Sequence, residues 1–454
     1  MTDKRTARPA PPAAPKNRNA SLSHRMTVAF IGNAFPPLVA LITGPILARS
    51  LGVDGRGDVA AATAPLALII TVATFGIPEA VTWTVARSPH LARNAAGRGF
   101  LLLGGGGVLA FGAVLLASPW LSGGDPYVSF LIDIAALAIV PSLLVGVMRG
   151  IASAMHRWHL VAIERILTSA LRLAVLVPFW LTGTLTPLVA TLTIAGMPIA
   201  GAFVYLGLLR KLDPRSPVVP REAALGGLLN YGMRLWVGSL SGILLSRIDQ
   251  VLMTPLAGTY QLGLYVVAVN VSELPLIINQ AVRDVSFVSD AKESVDERLA
   301  GSARISTALC AIAGIVLGVT MLWWLPFLFG HGFEDSIPIA AVLLVAVVLG
   351  TPGSIAGSGL SARGRPGLRS ISLTIACVVN IVLIVLLTPA MGAMGAALAT
   401  LAGNLISSNL NLVFLRVFFG VRSLQFYGLK REDLATLRRF AIRMLRLDRR
   451  ERSA

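Results

Sequence analysis

Residues Leu240–Glu273 read LSGILLSRIDQVLMTPLAGTYQLGLYVVAVNVSE. The pattern predicts an apolar helix with Arg247 and Asp249 through its middle. It ends at Pro255, turns through Gly258 and Gly263, and returns as a second apolar helix bearing Asn270 and Glu273. A charge near a bilayer midplane costs at least about 2.5–3.5 kcal/mol, so such residues face a cavity or a partner and mark function.

The rest of the chain matches this hairpin. Of 454 residues 55% are hydrophobic and 13% charged, and the mean hydropathy is +0.75. Soluble domains carry about 25% charged residues. Segments of about 20 apolar residues, enough to span a bilayer, recur at 26–48, 59–85, 99–118, 128–148, 160–182, 186–209, 233–256, 262–282, 304–328, 336–361, 370–388 and 391–415. The fold class is therefore an all-α polytopic membrane protein of twelve transmembrane helices. Residues 1–25 read as a disordered basic cytoplasmic tail without a signal-peptide core. Residues 26–209 form one six-helix bundle, 210–232 a cytoplasmic linker, 233–415 a second bundle, and 416–454 a basic amphipathic cytoplasmic tail. Between the eighth and ninth spans, 283–303 is expected to form a short surface helix.

The net charge of +17 would suggest nucleic acid in a soluble protein. Here the basic residues flank the spans, so no nucleic-acid partner is expected; they meet anionic membrane lipids and set topology. Loops on one side hold Arg87, Arg93, Arg98, Arg149, Arg157, Arg210, Lys211, Arg283, Lys292, Arg298, Arg363, Arg365 and Arg369 among others, against only Arg49 and Arg56 on the other. The positive-inside rule then places both termini in the cytoplasm of a multi-pass inner-membrane protein.

An internal repeat supports two halves. LGVDGRGDVAAA (51–62) aligns with AGTYQLGLYVVA (257–268) at a constant offset of 206, pairing Gly52 with Gly258 and Gly57 with Gly263. Both turns join the first two helices of a six-helix half, as in transporters built from structural repeats.

Catalytic and energising motifs are absent. No phosphate-cradling G-x-x-x-x-G-K-[ST] and no H-E-x-x-H occurs, so no enzyme activity, cofactor or metal is expected. His156 and His159 read as solvated side chains in a basic loop. Cys310 and Cys377 read as small buried apolar residues. Gly104–Gly107 and Gly357-Ser358-Gly359 read as close helix packing. The informative residues are the intramembrane charges. Arg172, Arg247 and Glu273 fall near the midplane, with Asp249 close by and Glu79 nearer the cytoplasmic face. Arg247 and Asp249 are about 200° apart on a helix and cannot simply pair. Two arrangements follow. Arg172 and Arg247 could meet in one water-filled cavity, where guanidinium forks suit phosphate oxygens; or the charges could form salt bridges such as Arg247–Glu273 or Arg172–Asp249. Glu79, after Pro78, is either a cavity residue or part of a partly wet helix break.

The blocks ILARSLGVDGRGDVAA (46–61), SRIDQVLMTPLAGTYQLGLYVVA (246–268), GLSARGRPGLRS (359–370) and LTPAMGAMGAALATLAGNLI (387–406) give the chain its likeness. It resembles the polysaccharide, or lipid-linked oligosaccharide, flippases of the multidrug/oligosaccharidyl-lipid/polysaccharide exporter superfamily. The resemblance implies two bundles around a central cavity and transfer of a polyprenyl-phosphate- or pyrophosphate-linked oligosaccharide from the inner to the outer leaflet by alternating access. It implies substrate-cavity roles for Arg172, Arg247, Asp249 and Glu79, and Asp249 or Glu273 as ion-coupling acids. Two departures stand out. Lipid II flippases usually have fourteen helices against twelve here, and NQAVRDVSFVS (279–289) is more polar than that family's pattern.

Two other classes compete. A cation-coupled multidrug antiporter of the same superfamily would favour aromatic stacking, whereas aromatics are 7% of this chain. A non-transporting scaffold of a cell-envelope complex would use the basic tails to dock a polymerase or glycosyltransferase partner.

Overall fold

Gly52 and Gly258 decide how the chain folds back. Each interrupts a long apolar helix with a non-helical backbone, φ 68° and ψ −171° at Gly52, φ 84° and ψ 171° at Gly258. A positive φ of this kind is open to glycine and costly for other residues. The repeat read from sequence is thus a repeat of backbone conformation. The helix does not end at Pro255; it runs to Gly258, and Gly263 is already helical.

The computed structural model describes residues 18–210, 212 and 224–433, with side chains from Phe35 onward except Leu209. Within them the chain is all-helical. The helices are α1 (Arg18–Val72), α2 (Ile77–Arg87), α3 (Ala92–Leu121), α4 (Pro126–Ala136), α5 (Ile139–Ala154), α6 (Trp158–Leu181), α7 (Pro187–Gly201), α8 (Leu206–Arg210) and α9 (Leu225–Lys292). After these come α10 (Asp296–Phe329), α11 (Ser336–Ala362), α12 (Pro366–Met391) and α13 (Ala393–Phe419). The glycine breaks divide α1 and α9 into two spans each. The pairs α4–α5 and α7–α8 each make one span, and α2 completes the second. Twelve spans result among the described residues, six to a half.

Several local readings change. The second span is not continuous: it breaks at Ala73–Gly76, where Gly76 has φ 66° and Pro78 stands in the first turn of α2. No separate helix forms over 283–303, because α9 continues to Lys292 and α10 starts at Asp296. Of the four glycines at 104–107, Gly107 packs on Val140 and Leu143 and Gly106 approaches Phe75, but Gly104 and Gly105 face open space. The Gly357-Ser358-Gly359 string does pack closely, against Asn411 and Leu299. α1 begins inside the stretch read as the first tail, and α9 inside the stretch read as the linker. The amphipathic C-terminal segment beyond Asp433 lies outside the described residues.

The halves meet at two glycine junctions. At the glycine-turn end, a Cβ on Gly57 would stand 1.9 Å from the Thr259 carbonyl oxygen, and one on Gly263 would stand 2.2 Å from that of Val53. Residues 53 and 259 are themselves related by the 206-residue offset, so the two contacts are pseudo-two-fold mates. Arg49 adds a link there, donating to the Phe327 carbonyl. At the opposite, basic end, Gly76 and Gly232 abut, each with a hypothetical Cβ within 2.5 Å of carbonyl oxygen across the contact. Trp83 stacks on Tyr231 at 4.8 Å, and the Trp236 indole donates to the Val72 carbonyl at 2.7 Å.

The basic end of each half is tied by ion pairs, each with at least one buried partner. In the first, Arg149 of α5 forks onto Glu164 of α6 at 3.1 Å, with Tyr205 donating to the same carboxylate. In the second, Arg363 bonds Asp290 at 2.9 Å and Asp296 at 2.8 Å, while Arg304 bonds Asp433 at 2.6 Å and Glu297 at 2.7 Å. The Arg304–Asp433 pair pins the chain after α13 to α10. Burial pushes the Asp433 carboxyl up, but the Arg304 guanidinium and the Lys430 amide outweigh it and hold it below its ordinary value. A depressed carboxylate stabilises above its unfolded pKa and stops doing so as pH falls through the folded one. The clasp should therefore persist at neutral pH and release only below the ordinary aspartate value of about 3.9. Asp433→Asn should loosen it at every pH, by less than the cost of about 3–5 kcal/mol for an uncompensated buried charge, because Arg304 keeps Glu297 and Lys430 keeps its own bond to Glu297. Hydrogen exchange over 420–433 should then rise at least tenfold while α10 and α13 stay protected; unchanged exchange would show that the pair does not hold the segment.

Candidate functional site

Arg247 and Glu273 lie on the two arms of α9, and their side chains approach to 3.6 Å while remaining 48% and 45% exposed. The faces they occupy follow from helical spacing. Arg247 is eleven residues, close to three full turns, beyond Trp236, whose indole bonds the first half. Glu273 is one turn beyond Asn270, whose amide lies 3.9 Å from a Cβ on Gly44 of α1. Both charges thus look toward the first half, from positions between the two junctions. At about 1.5 Å per residue, Arg247 stands roughly 22 Å from Gly232 and roughly 16 Å from Gly258.

Glu79 belongs to the basic end of the first half. It is exposed in the first turn of α2, one turn before Trp83, which stacks on Tyr231 of α9. No hydrogen bond or ion pair engages it among the described residues. Glu79 thus lies at the Gly76–Gly232 junction, roughly 22 Å along the bundle from the Arg247–Glu273 pair.

Arg172 and Asp249 do not join them. Arg172 sits inside the first half. One turn before it, Thr168 packs against Gly201 of α7; one turn after it, Leu176 packs with Ile46, Leu47 and Val59 of α1. The Nε of Arg172 is buried without a hydrogen-bond partner. Asp249 is 5% exposed within the second half. It accepts from the Tyr265 hydroxyl at 2.6 Å and from the Gln250 amide at 2.8 Å, and Tyr265 also lies 3.2 Å from the Thr400 hydroxyl. Of the two salt bridges considered from sequence, Arg247–Glu273 forms and Arg172–Asp249 does not.

Sequence reading passed over Tyr265, Thr400 and Asn380. Asn380 of α12 is fully buried with both amide atoms unpartnered, and it lies beside Gly403 of α13 and Leu245 of α9. Only Asn380 carried a signal, a lone amide in an otherwise apolar span. Among the described residues no three His, Cys, Asp or Glu side chains group as metal ligands. Cys310 and Cys377 are free and buried.

The fold recurs in solved transporters. A multidrug resistance MATE family transporter of the MOP superfamily in an inward-facing conformation superposes with TM-score 0.68 at 16% identity, covering 86% of this chain and 98% of the other. The lipid II flippase MurJ in an inward closed conformation superposes with TM-score 0.69 at 14% identity, covering 86% and 87%. A MOP superfamily transporter from Pyrococcus furiosus gives TM-score 0.57 at 14% identity, covering 90% and 96%. A search of curated proteins found no match. The family described as Polysaccharide biosynthesis protein matches residues 24–287, more than half of the sequence. A multi-pass membrane protein with the MOP-superfamily fold, the chain belongs to the polysaccharide biosynthesis protein family.

Proposed function

We propose that the chain is a flippase. It carries a polyprenyl-phosphate- or pyrophosphate-linked oligosaccharide from the cytoplasmic to the outer leaflet of the inner membrane, for cell-surface polysaccharide synthesis. It works by alternating access without covalent chemistry, with both termini cytoplasmic. The observation that carries this reading is the half-exposed Arg247–Glu273 pair on the face between the halves. A forked guanidinium there matches phosphate oxygens, and Glu273 is a counter-ion that an incoming phosphate can displace. Glu79, exposed on α2 just past the Gly76–Gly232 contact, accepts hydrogen bonds from sugar hydroxyls at the cytoplasmic entrance. Arg172 adds positive potential from inside the first half. The polyprenyl tail stays in the bilayer.

Reconstitution tests the proposal. Liposomes holding the purified chain should expose a fluorescent polyprenyl-pyrophosphate saccharide on both leaflets, and empty liposomes should not. Equal rates with and without protein would defeat it.

Coupling is assigned to Asp249, with Glu273 as the exposed alternative. Asp249 lies among Tyr265, Thr400 and the unpartnered Asn380, groups able to hold a proton or a small cation. Asp249→Asn should leave substrate binding intact and remove at least about 90% of the rate increase produced by an imposed proton or sodium gradient. A gradient response equal to wild type would move the coupling site elsewhere.

A further inference from the structure

The glycine-turn end carries only two basic loop residues, Arg49 and Arg56. Arg49 is accounted for by its bond to the Phe327 carbonyl and its place 5.8 Å from the Phe327 ring centroid. Arg56 is not. It is 8% exposed, its Nε is buried without a partner, and its guanidinium makes no hydrogen bond or ion pair among the described residues. The acids nearest in sequence, Asp54 and Asp58, are each two positions away, about 200° round the helix, and Asp58 is engaged with Thr259 of the second half.

The internal repeat shows what this position requires. The mate of Arg56 in the second half is Leu262, which is fully buried. The fold thus builds an apolar site here and fills it with a cation in one half. The site also opposes a cation for a second reason. Arg56 stands in the first turn after the Gly52 break, a helix start that favours negative charge. A buried, uncompensated charge of this sort is strongly destabilising, so it persists where another state of the protein relieves it. Its next neighbour is Gly57, which closes directly on Thr259. Parting of the halves between Gly57 and Thr259 would move the contact that lies next to Arg56 on its own turn.

We infer that Arg56 is an anion-binding residue of the outer junction, covered while the junction is shut and taking phosphate or pyrophosphate oxygens when it parts. Its ligand class rests on the flippase reading, in which the pyrophosphate headgroup leaves by this end. The unrelieved charge also biases the shut junction toward opening, and an anion arriving there stabilises the open form.

The test uses the full chain in neutral-lipid nanodiscs, with Cys310 and Cys377 replaced by Ala. Nitroxides are attached at Tyr127→Cys and Tyr260→Cys, exposed positions on opposite halves. Millimolar inorganic pyrophosphate or membrane-borne polyprenyl pyrophosphate should raise the long-distance population at least threefold in the labelled parent. A response to both probes supports phosphate recognition as such; a response to the lipid alone supports recognition of the headgroup on its carrier. Arg56→Leu, which copies Leu262, should be shut without ligand, unresponsive to either probe, and higher in melting temperature than the parent. Arg56→Lys should retain part of the response. A melting temperature lowered in Arg56→Leu marks Arg56 as structural and overturns the proposal. So does an equal ligand response in parent and Arg56→Leu, or no response in the parent. Absence of saccharide transport in liposomes would defeat the flippase reading while leaving a pyrophosphate response at Arg56 intact.

Discussion

Gly57→Val is expected to hold the glycine-turn junction apart and to cut transport more than tenfold, with protein level and helical content unchanged. A Cβ at Gly57 meets the Thr259 carbonyl oxygen at 1.9 Å, far inside contact distance, and the obstacle is backbone rather than a flexible side-chain end. The helix carrying Thr259 must retreat. Overpacking of this kind costs about 1–3 kcal/mol or more, and at about 1.4 kcal/mol per tenfold that shifts the shut-to-open balance by roughly 5- to 150-fold. The pseudo-two-fold adds a check. Gly263→Val meets the Val53 carbonyl at 2.2 Å and should produce the same open bias and a similar loss. Nitroxide distances across this end would read both. A normal shut population in either variant would show that the glycine contact does not gate that end.

Arg247→Ala is expected to abolish export of the lipid-linked saccharide while the protein reaches the membrane at normal level. The pair with Glu273 is half exposed, and pairs of that kind contribute only about 0–1 kcal/mol to folding. Loss of the guanidinium should therefore leave the fold intact and remove the phosphate contact. Arg247→Lys keeps the charge but not the fork, and should recover a minor part of the rate. Glu273→Gln should do the reverse of Arg247→Ala for binding, tightening the hold on pyrophosphate and slowing release. Export in cells and pyrophosphate binding to the purified variants measure the two effects separately. Full export by Arg247→Ala would remove this residue from the substrate path.

The membrane architecture was legible because its signals are local and redundant. Apolar length marks the spans, arginine placement marks one end of the molecule, and the Gly52/Gly258 offset marks the repeat. The separation of Arg247 from Asp249 was also legible, since two residues on a helix point in opposing directions whatever surrounds them. What each charge faces was not. That Asp249 turns inward to Tyr265 and Thr400 depends on how the two arms of α9 pack with α13, a contact spanning 135 residues. That Arg172 stays inside its own half depends on α7 packing against Thr168, which no spacing in α6 reveals. Glu164 escaped notice beside Arg165, although it is the buried acid that Arg149 needs. The break at Ala73–Gly76 was signalled by Gly76 and Pro78 and was one of the two readings open for Glu79, although apolar length carried the span through it.

The space beside the Arg247–Glu273 pair is proposed to open to each side of the membrane in turn. Ser246, exposed beside Arg247 on the same arm, offers a direct probe. Ser246→Cys, in a chain whose two native cysteines are buried, can be exposed to a membrane-impermeant thiol reagent from either side of sealed vesicles. Modification is expected from both sides, with Gly57→Val raising the rate from the glycine-turn side and lowering it from the basic side. Modification from one side only, unchanged by Gly57→Val, would contradict it.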